Sequence, residues 1–319
     1  MTAPKTYSQT ELLHELEPIA EREVNRHLVQ AREWMPHEYV PWGQGRDFDG
    51  PLGGQAWDPS QSPMDDVART AMVVNLLTED NLPSYHREIH TSFSADGAWG
   101  TWIGRWTAEE GRHATAIRDY LLVTRSVDPI ALERERMAHM AQGFDSPYPL
   151  DLLHTVAYVS FQELATRISH RNTGKFTKDP FADQLLARIS VDENLHMVFY
   201  RNLLSAALEV TPDQALTAIW EVVKGFQMPG STIEGFTRRS LAIAMAGIYD
   251  LRIHCDEVLA PVLKQTAVWE LEGLSAEGEH ARQQLADFMA DLDQRATSFE
   301  DKRAARQARL AAKSPAAGN

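Results

Sequence analysis

Two of the four Glu-x-x-His motifs in this sequence belong to a duplicated pattern of possible metal ligands. Residues i and i+3 of a helix are neighbours, so each motif places a carboxylate and an imidazole on one face. In the duplicated pattern, a single Glu is followed after about thirty residues by Glu-x-x-His. The two copies consist of Glu79, Glu110 and His113, and of Glu163, Glu193 and His196. Carboxylates and imidazoles in this ratio form a hard, oxygen-rich site that suits two iron or manganese ions.

The other Glu-x-x-His motifs and the other histidines lack this arrangement. The pairs Glu11/His14 and Glu277/His280 have no preceding Glu partner, and we interpret them as surface pairs. The remaining histidines are interpreted as structural, among them His86, His90, His154, His170 and His254. The alternative for the six residues of the duplicated pattern is that they are surface or salt-bridged residues of an ordinary bundle. A short motif recurs by chance, but the repeated interval disfavours that alternative.

The same spacing indicates which elements must position these residues. Apolar residues recur at three- and four-residue intervals through most of the chain, and alternating strand patterns are scarce. Thirty residues correspond to one long helix, a turn, and a return to the same depth on an antiparallel neighbour. Six ligands then converge from four helices, as in ferritin-like di-iron carboxylate proteins. The sequence therefore predicts an all-α, ferritin-like di-iron helical bundle with additional flanking helices.

The predicted elements leave one long irregular segment, rich in proline and glycine, between about residues 34 and 63. A first helix begins near Ser8 as its cap, and Thr211 caps a later one. The other predicted helices cover about residues 65–88, 98–125, 150–171, 180–210, 231–250, 256–270 and 275–312. We predict a single domain over residues 1–319, with a polar C-terminal helix end or tail from about residue 300.

Composition and charge exclude several classes of protein. The 319 residues are 43% hydrophobic and 24% charged, which is typical of a folded globular chain, and the net charge is −14. Such acidity disfavours nucleic acid and membrane surfaces as partners. The longest nearly apolar stretch, residues 241–249, is too short to span a bilayer. A single cysteine and the absence of a signal-peptide pattern indicate a cytoplasmic protein, and the basic run at residues 302–313 indicates a solvated helix end.

Four stretches around the duplicated pattern resemble the soluble acyl-carrier-protein desaturases, and most closely the actinobacterial branch of that family. They comprise residues 77–85, 105–113, 160–170 and 192–196, and the resemblance extends from the first helix to beyond Asp256. It implies an enzyme that uses dioxygen to introduce a cis double bond into a saturated fatty acyl chain carried on acyl carrier protein. It also implies a ferredoxin-type electron donor, a homodimer, and two iron ions on the six residues of the duplicated pattern.

The resemblance assigns roles to three further residues. Thr166 matches a threonine near the oxygen-binding side, where its hydroxyl could face dioxygen or relay a proton. The alternative is a threonine inside a helix that bonds its own backbone. Asp192 and Trp42 match an Asp and a Trp that link His113 to the surface as an electron path. A carboxylate that orients a ligating imidazole is usual in metal sites.

Two other functions stay open at this point: a different ferritin-like di-iron oxidase or hydroxylase, and a catalytically silent helical protein that binds acyl carrier protein. The long match around Glu79 and Glu163 weighs against the first, and the intact ligand set against the second. For a desaturase, a narrow apolar tunnel beside the metals would select the carbons that react. Its candidate lining residues are Met72, Leu76, Trp102, Thr107, Tyr158 and Phe161.

Overall fold

The computed structural model describes residues 5–144 and 146–313, which form helices joined by short connections and one long loop. The helices are α1 (Gln9–Gln30), α2 (Asp66–Asp80), α3 (Leu82–Ser92), α4 (Gly97–Val123), α5 (Pro129–Gln142), α6 (Leu152–Thr177), α7 (Pro180–Val210), α8 (Pro212–Gly225), α9 (Phe236–Met245), α10 (Leu251–Ile253), α11 (Ala260–Gln265) and α12 (Ala276–Lys313). A π turn, His254–Leu259, joins α10 to α11. Within these residues the only strand-like pairing is an isolated bridge between Phe48 and Gln55. The prediction of an all-α fold is confirmed.

Four helices, α2, α4, α6 and α7, carry the duplicated pattern. The starts of α2, α6 and α7 are capped by Asp65, Asp151 and Asp179, whose carboxylates accept backbone N–H groups of the first turn. Among the described helices, α6 and α7 pack against each other most extensively. A very short connection joins them, so they run antiparallel. The arrangement fixes the depth at which the two copies of the pattern meet.

Helix α1 lies across this group, in contact with α4 and α7. It begins at the predicted cap, where Ser8 and Glu11 form a reciprocal capping box. Its inner face buries Leu12, Leu16 and Ala20 in the apolar core. No helix in the described part of the chain is long and apolar enough to cross a membrane.

The structure differs from the predicted helices in several places. The predicted helix 256–270 is a π turn followed by α11, which ends at Gln265, and Thr211 stands before α8 without a side-chain capping bond. The predicted helix 65–88 is interrupted at Asn81, because Pro83 lacks a backbone N–H and opens the new helix α3. Helix α5 was not predicted, although Asp128 followed by Pro129 is a typical helix start. The predicted helix 231–250 is reduced to α9, since Gly247, at a φ of 77°, ends it.

The long loop before α2 is held by one buried arginine. The guanidinium of Arg125 donates to the backbone carbonyls of Arg46, Asp47, Gln55 and Ala56, and to the side chain of Gln61. It also lies over the ring of Phe48. Three short 3-10 turns shape the rest of this loop.

The basic C-terminal run is helical through Lys313. It is not solvated throughout, because Arg303 is partly buried and binds the carbonyl of Ala244 at 3.0 Å and the carboxylate of Asp250. Exposed Arg306 and Arg309 fit the expected solvated end.

Candidate metal centre

The six residues of the duplicated pattern meet in the middle of the bundle. Glu79 lies on α2, Glu110 and His113 on α4, Glu163 on α6, and Glu193 and His196 on α7; none is more than 7% exposed. They form two groups whose possible ligand atoms lie within 4.8 Å of one another. We name these groups the His113 half (Glu79, Glu110, His113, Glu193) and the His196 half (Glu110, Glu163, Glu193, His196). Glu110 and Glu193 belong to both halves.

Each histidine points its Nδ1 atom at these carboxylates. His113 Nδ1 lies 3.2 Å from Glu193 Oε1 and 3.5 Å from Glu110 Oε2. His196 Nδ1 lies 2.8 Å from Glu110 Oε1 and 3.5 Å from Glu163 Oε2. The Nε2 atoms point away from the centre, toward other carboxylates. The inward-facing atoms are therefore the ones available to a metal.

Several of these inward-facing atoms form no hydrogen bond of suitable geometry among the described residues, although His196 Nδ1 and Glu110 Oε1 lie close to each other. The atoms without a hydrogen bond are His113 Nδ1, His196 Nδ1, Glu110 Oε1, Glu163 Oε2 and Glu193 Oε1. A buried polar atom without a partner costs about 1–3 kcal/mol, and more when it is charged. Their convergence from both halves fits two cations of the kind that carboxylates and imidazoles bind.

Burial and the closeness of the carboxylates to one another shift the pKa values of several carboxyl groups in the centre. Burial, followed by the charges of Glu193 and Glu110, raises the pKa of Glu163 well above its usual value. Burial and the charge of Glu193 likewise raise the pKa of Glu110. Burial also opposes ionisation of Glu79, but the neighbouring imidazoles of His113 and His170 outweigh it and lower the pKa of that group. The site therefore favours bound positive charge, as protons or as cations.

Asp192 sits behind His113, on the side away from the centre. Its Oδ2 atom lies 3.4 Å from His113 Nε2 and accepts from Trp34 Nε1 at 2.7 Å and Arg112 Nη2 at 3.0 Å. Arg188 pairs with the other oxygen. Although burial opposes ionisation, the hydrogen bond with His113 dominates the remaining effects and lowers the pKa of Asp192 to about 2. An ionised acceptor at this point holds Nε2 protonated and leaves Nδ1 facing the centre.

The tryptophan beside Asp192 is Trp34, and the prediction of Trp42 at this place does not agree with the structure. Trp42 lies in a 3-10 turn and is 50% exposed, and among the described contacts none joins it to Asp192 or His113. Trp34 is only 3% exposed, and its ring stacks on that of His113 with centroids 6.3 Å apart. The loop after α1 turns Trp34 inward and leaves Trp42 at the surface.

Glu109 is the counterpart of Asp192 and was missed from the sequence. Its Oε2 atom lies 2.9 Å from His196 Nε2 and 2.9 Å from His27 Nε2, and Arg105 pairs with Oε1 at 2.5 Å. Although burial opposes ionisation, the hydrogen bonds of both histidines lower the pKa of Glu109. A sequence signal was present, because an acidic residue immediately precedes each Glu-x-x-His of the duplicated pattern.

Thr166 and two further residues contact the carboxylates directly. The hydroxyl of Thr166 lies 2.9 Å from Glu193 Oε2 and 3.0 Å from the carbonyl of Glu163, so both readings of this threonine have a geometric basis. His170, interpreted from the sequence as structural, lies 2.8 Å from Glu79 Oε1. Trp106 Nε1 donates to Glu163 Oε1 at 3.0 Å.

Two narrow cavities lie beside the centre. The first, which we name the Thr166 cavity, has a volume of about 80 Å³. It is lined by Glu79, Thr166 and His170 on the side of the centre, and its other lining residues include Met228, Phe236, Ser240, Ile243 and Tyr249. The second, the Tyr158 cavity, has a volume of about 30 Å³ and is lined by Tyr85, Trp106, Tyr158 and Gln162, among others. Of the tunnel residues predicted from the sequence, Tyr158 lines one of these cavities. Met72, Leu76, Trp102 and Phe161 are fully buried core residues, and Thr107 bonds His86.

Comparison with known proteins agrees with this architecture. The family model described as fatty acid desaturase matches residues 8–314. DesA1 of Mycobacterium tuberculosis H37Rv, named as an acyl-[acyl-carrier-protein] desaturase, is 53% identical over 298 residues, covering 91% of this chain and 88% of its own. Acyl-[acyl-carrier-protein] desaturase 7, a chloroplastic protein of Oryza sativa subsp. japonica, is 30% identical over 329 residues, 95% of this chain and 79% of its own.

A solved structure is also similar. The X-ray structure of DesA2 from Mycobacterium tuberculosis H37Rv matches with a TM-score of 0.65 and 33% identity, over 80% of this chain and 98% of that chain. This confirms the predicted ferritin-like helical fold, and the higher identity to the mycobacterial protein confirms the predicted branch. The chain belongs to the fatty acid desaturase family.

Proposed function

We propose that this protein is a di-iron acyl-[acyl-carrier-protein] desaturase that introduces a cis double bond into a saturated acyl chain. Family membership gives the oxidoreductase class, and relatives in both bacteria and plants are named as acyl-carrier-protein desaturases. The observation that carries the metal assignment is the convergence of buried carboxylate and imidazole atoms from four helices, several of which form no hydrogen bond. Two bound irons would supply the reduction of dioxygen and the removal of one hydrogen from each of two neighbouring methylenes.

The protein's own residues would hold and shield that centre. Glu79 and His113 belong to one half, Glu163 and His196 to the other, and Glu110 and Glu193 lie between them. Asp192 and Glu109 would keep the two imidazoles oriented through their Nε2 atoms. The Thr166 hydroxyl reaches Glu193 and lines the Thr166 cavity, so it can hold a proton beside the reacting carbons.

The two cavities would accommodate the acyl chain on either side of the reacting carbons. At about 80 and 30 Å³ they are far smaller than usual ligand pockets of about 300–1,000 Å³. Substrate entry must therefore widen them. We expect the Thr166 cavity to widen on the side formed by α9. This helix is short and is flanked by two glycines with left-handed backbone, Gly235 and Gly247. Apolar Phe236 and Ile243 would contact the chain and exclude water.

Acyl carrier protein would dock beside α9. Ser240 lines the Thr166 cavity, and exposed Arg238 lies two positions earlier on the same helix. Arg238, Arg239 and Arg69 line a surface groove between α9, α2 and α5. Arg239 pairs with Glu135 and Arg69 with Asp66. The exposed guanidinium of Arg238 is therefore the group that would meet an acidic carrier on a chain of net charge −14. A ferredoxin-type donor and a homodimer, which the family resemblance implies, and a cytoplasmic location, which the composition indicates, complete the proposal.

The test is a reconstituted reaction. Apo protein is loaded anaerobically with ferrous iron, reduced by ferredoxin and its reductase, and exposed to air with a panel of saturated acyl carriers. We expect about two irons per chain and a product lighter by two hydrogens. Glu110→Ala is expected to lose iron and product together, whereas Glu15→Ala, which alters an exposed carboxylate outside the centre, retains both. Gain of one oxygen instead would identify a hydroxylase, and a folded protein without iron would overturn the metal assignment.

A further inference from the structure

We infer that His27 on α1 is a positioning residue for the His196 half of the centre, and the counterpart of Trp34 on the His113 half. This inference rests on the proposed metal centre. His27 is 1% exposed, and its Nε2 atom lies 2.9 Å from Glu109 Oε2. The same oxygen lies 2.9 Å from His196 Nε2. One carboxylate oxygen thus links α1 to a candidate ligand on α7.

The contacts of His27 repeat those of Trp34. Trp34 donates to Asp192 and stacks on the ring of His113, with an interplanar angle of 15°. His27 contacts Glu109 and stacks on the ring of His196, with centroids 5.7 Å apart and an interplanar angle of 27°. In each half, one ring, His27 on α1 or Trp34 just after it, therefore stacks on the imidazole and also bonds the carboxylate behind it.

The bonding fixes how these rings must be protonated. An ionised carboxylate only accepts hydrogen bonds, so both His27 and His196 must present Nε2–H to Glu109. His196 then has its Nδ1 lone pair directed at Glu110 and Glu163. Trp102 packs edge-on against His27, at 5.1 Å between centroids and 87°, and limits rotation of its ring. His27 therefore acts on the centre only through Glu109 and through ring packing.

The two halves consequently differ in their outer partner. The His113 half is backed by an indole and by Arg112 and Arg188. The His196 half is backed by an imidazole and by Arg105. Helix α1 and the residues just after it supply both rings, so a helix outside the ligand-bearing four helps to order both halves. Loss of His27 is expected to affect one half selectively.

The experiment uses Co(II) in the full-length protein, because Co(II) suits both N and O ligands and reports on each imidazole. In the proton NMR spectrum, the wild type is expected to give two shifted, solvent-exchangeable ring N–H signals, one for each of the candidate histidine ligands. His27→Phe keeps a ring but removes the donor. It is expected to shift one of these signals or hasten its exchange, and to weaken one Co(II) site about 10–100-fold. Trp34→Phe is expected to affect the other signal.

Two matched variants separate positioning from general damage. His14→Phe makes the same change at an exposed position of α1 and is expected to leave both signals and both affinities unchanged. His27→Gln keeps an N–H donor and is expected to restore part of the lost affinity. If His27→Phe does not fold, His27→Gln and Trp34→Phe still provide the comparison of the two signals.

The outcomes distinguish this inference from the proposed function. If folded His27→Phe bound Co(II) at both sites as tightly as the wild type and gave unchanged N–H signals, that result would overturn the role of His27 and leave the metal centre intact. Equal weakening of both sites would also overturn it, since the effect would not be selective. A folded wild type that binds no Co(II) or iron would instead remove the metal centre itself, and the inference with it.

Discussion

Asp192 on α7 contacts His113 on α4, with 3.4 Å between Oδ2 and Nε2. Glu109 on α4 makes the reciprocal contact with His196 on α7. Each Glu-x-x-His of the duplicated pattern thus carries, one residue before its Glu, the carboxylate that contacts the histidine of the other copy. Helices α4 and α7 each hold a histidine of the other helix in place. A substitution in one motif is therefore expected to change the position of the histidine in the other.

Trp34→Phe is expected to slow reduction of the iron-loaded protein by ferredoxin at least 10-fold, because it removes the N–H bonded to Asp192 and alters the ring stacked on His113. Trp42→Phe changes a half-exposed ring and is expected to stay within about 2-fold of wild type. Stopped-flow absorbance under anaerobic conditions measures both rates. A larger effect at Trp42 would restore that residue to the predicted path.

Ile243→Trp is expected to lower kcat/KM for acyl carrier substrates more than 10-fold, because the larger side chain fills the Thr166 cavity. Iron content should remain at the wild-type value, since Ile243 contributes no ligand. Leu241→Trp is the control, because Leu241 is 50% exposed on the same helix. Steady-state kinetics measures kcat/KM of both variants, and metal analysis measures their iron content. Full activity of Ile243→Trp would mean that the substrate does not use this cavity.

Arg125→Met is expected to destabilise the protein by about 3 kcal/mol or more, because it leaves several carbonyl groups of the 46–56 segment without their charged donor. Arg118→Met is the control, since its half-exposed side chain pairs with neighbouring Asp119 and such pairs contribute about 0–1 kcal/mol. Urea unfolding measures both free energies. Limited proteolysis should cut the loop before α2 faster in Arg125→Met alone. Equal stability of the two variants would show that Arg125 does not hold this loop.

His254 is expected to make stability depend on pH between about 4 and 6.5. Burial lowers its pKa to about 4, against a usual value of 6.5, so the folded protein keeps this ring neutral. The contribution of His254 to the free energy of unfolding is complete above pH 6.5 and is lost as the pH falls toward 4. In that window only the unfolded chain binds the proton. Between pH 7 and pH 5 the loss is about 2 kcal/mol.

His254→Phe removes the titrating group and should reduce the fall in unfolding free energy between pH 7 and pH 5 by that amount. The Phe226 and Tyr249 rings that surround His254 can pack against the new side chain. Comparing each protein with itself at the two pH values cancels any constant change in packing. The same pH dependence in wild type and variant would show that His254 does not cause it.

The fold class and the members of the centre were predictable because they depend on local order. Apolar periodicity and helix caps are properties of neighbouring residues, and the interval of about thirty residues carries the antiparallel return of the chain. Glu79, Glu110, His113, Glu163, Glu193 and His196 could therefore be identified as a set and are brought together by the structure. Whether they bind iron stays a prediction until metal is measured.

Only the tertiary structure decided which residues support that set. Trp34 and Trp42 are eight positions apart in an irregular loop without a repeating pattern, so the sequence could not tell which indole turns inward. The pairs His27–Glu109 and His170–Glu79 each join two helices that are distant in sequence. Their contacts depend on how α1 packs on α4 and α2 on α6. Long-range packing sets these crossings, because burial of whole helix faces outweighs any local preference of the residues involved.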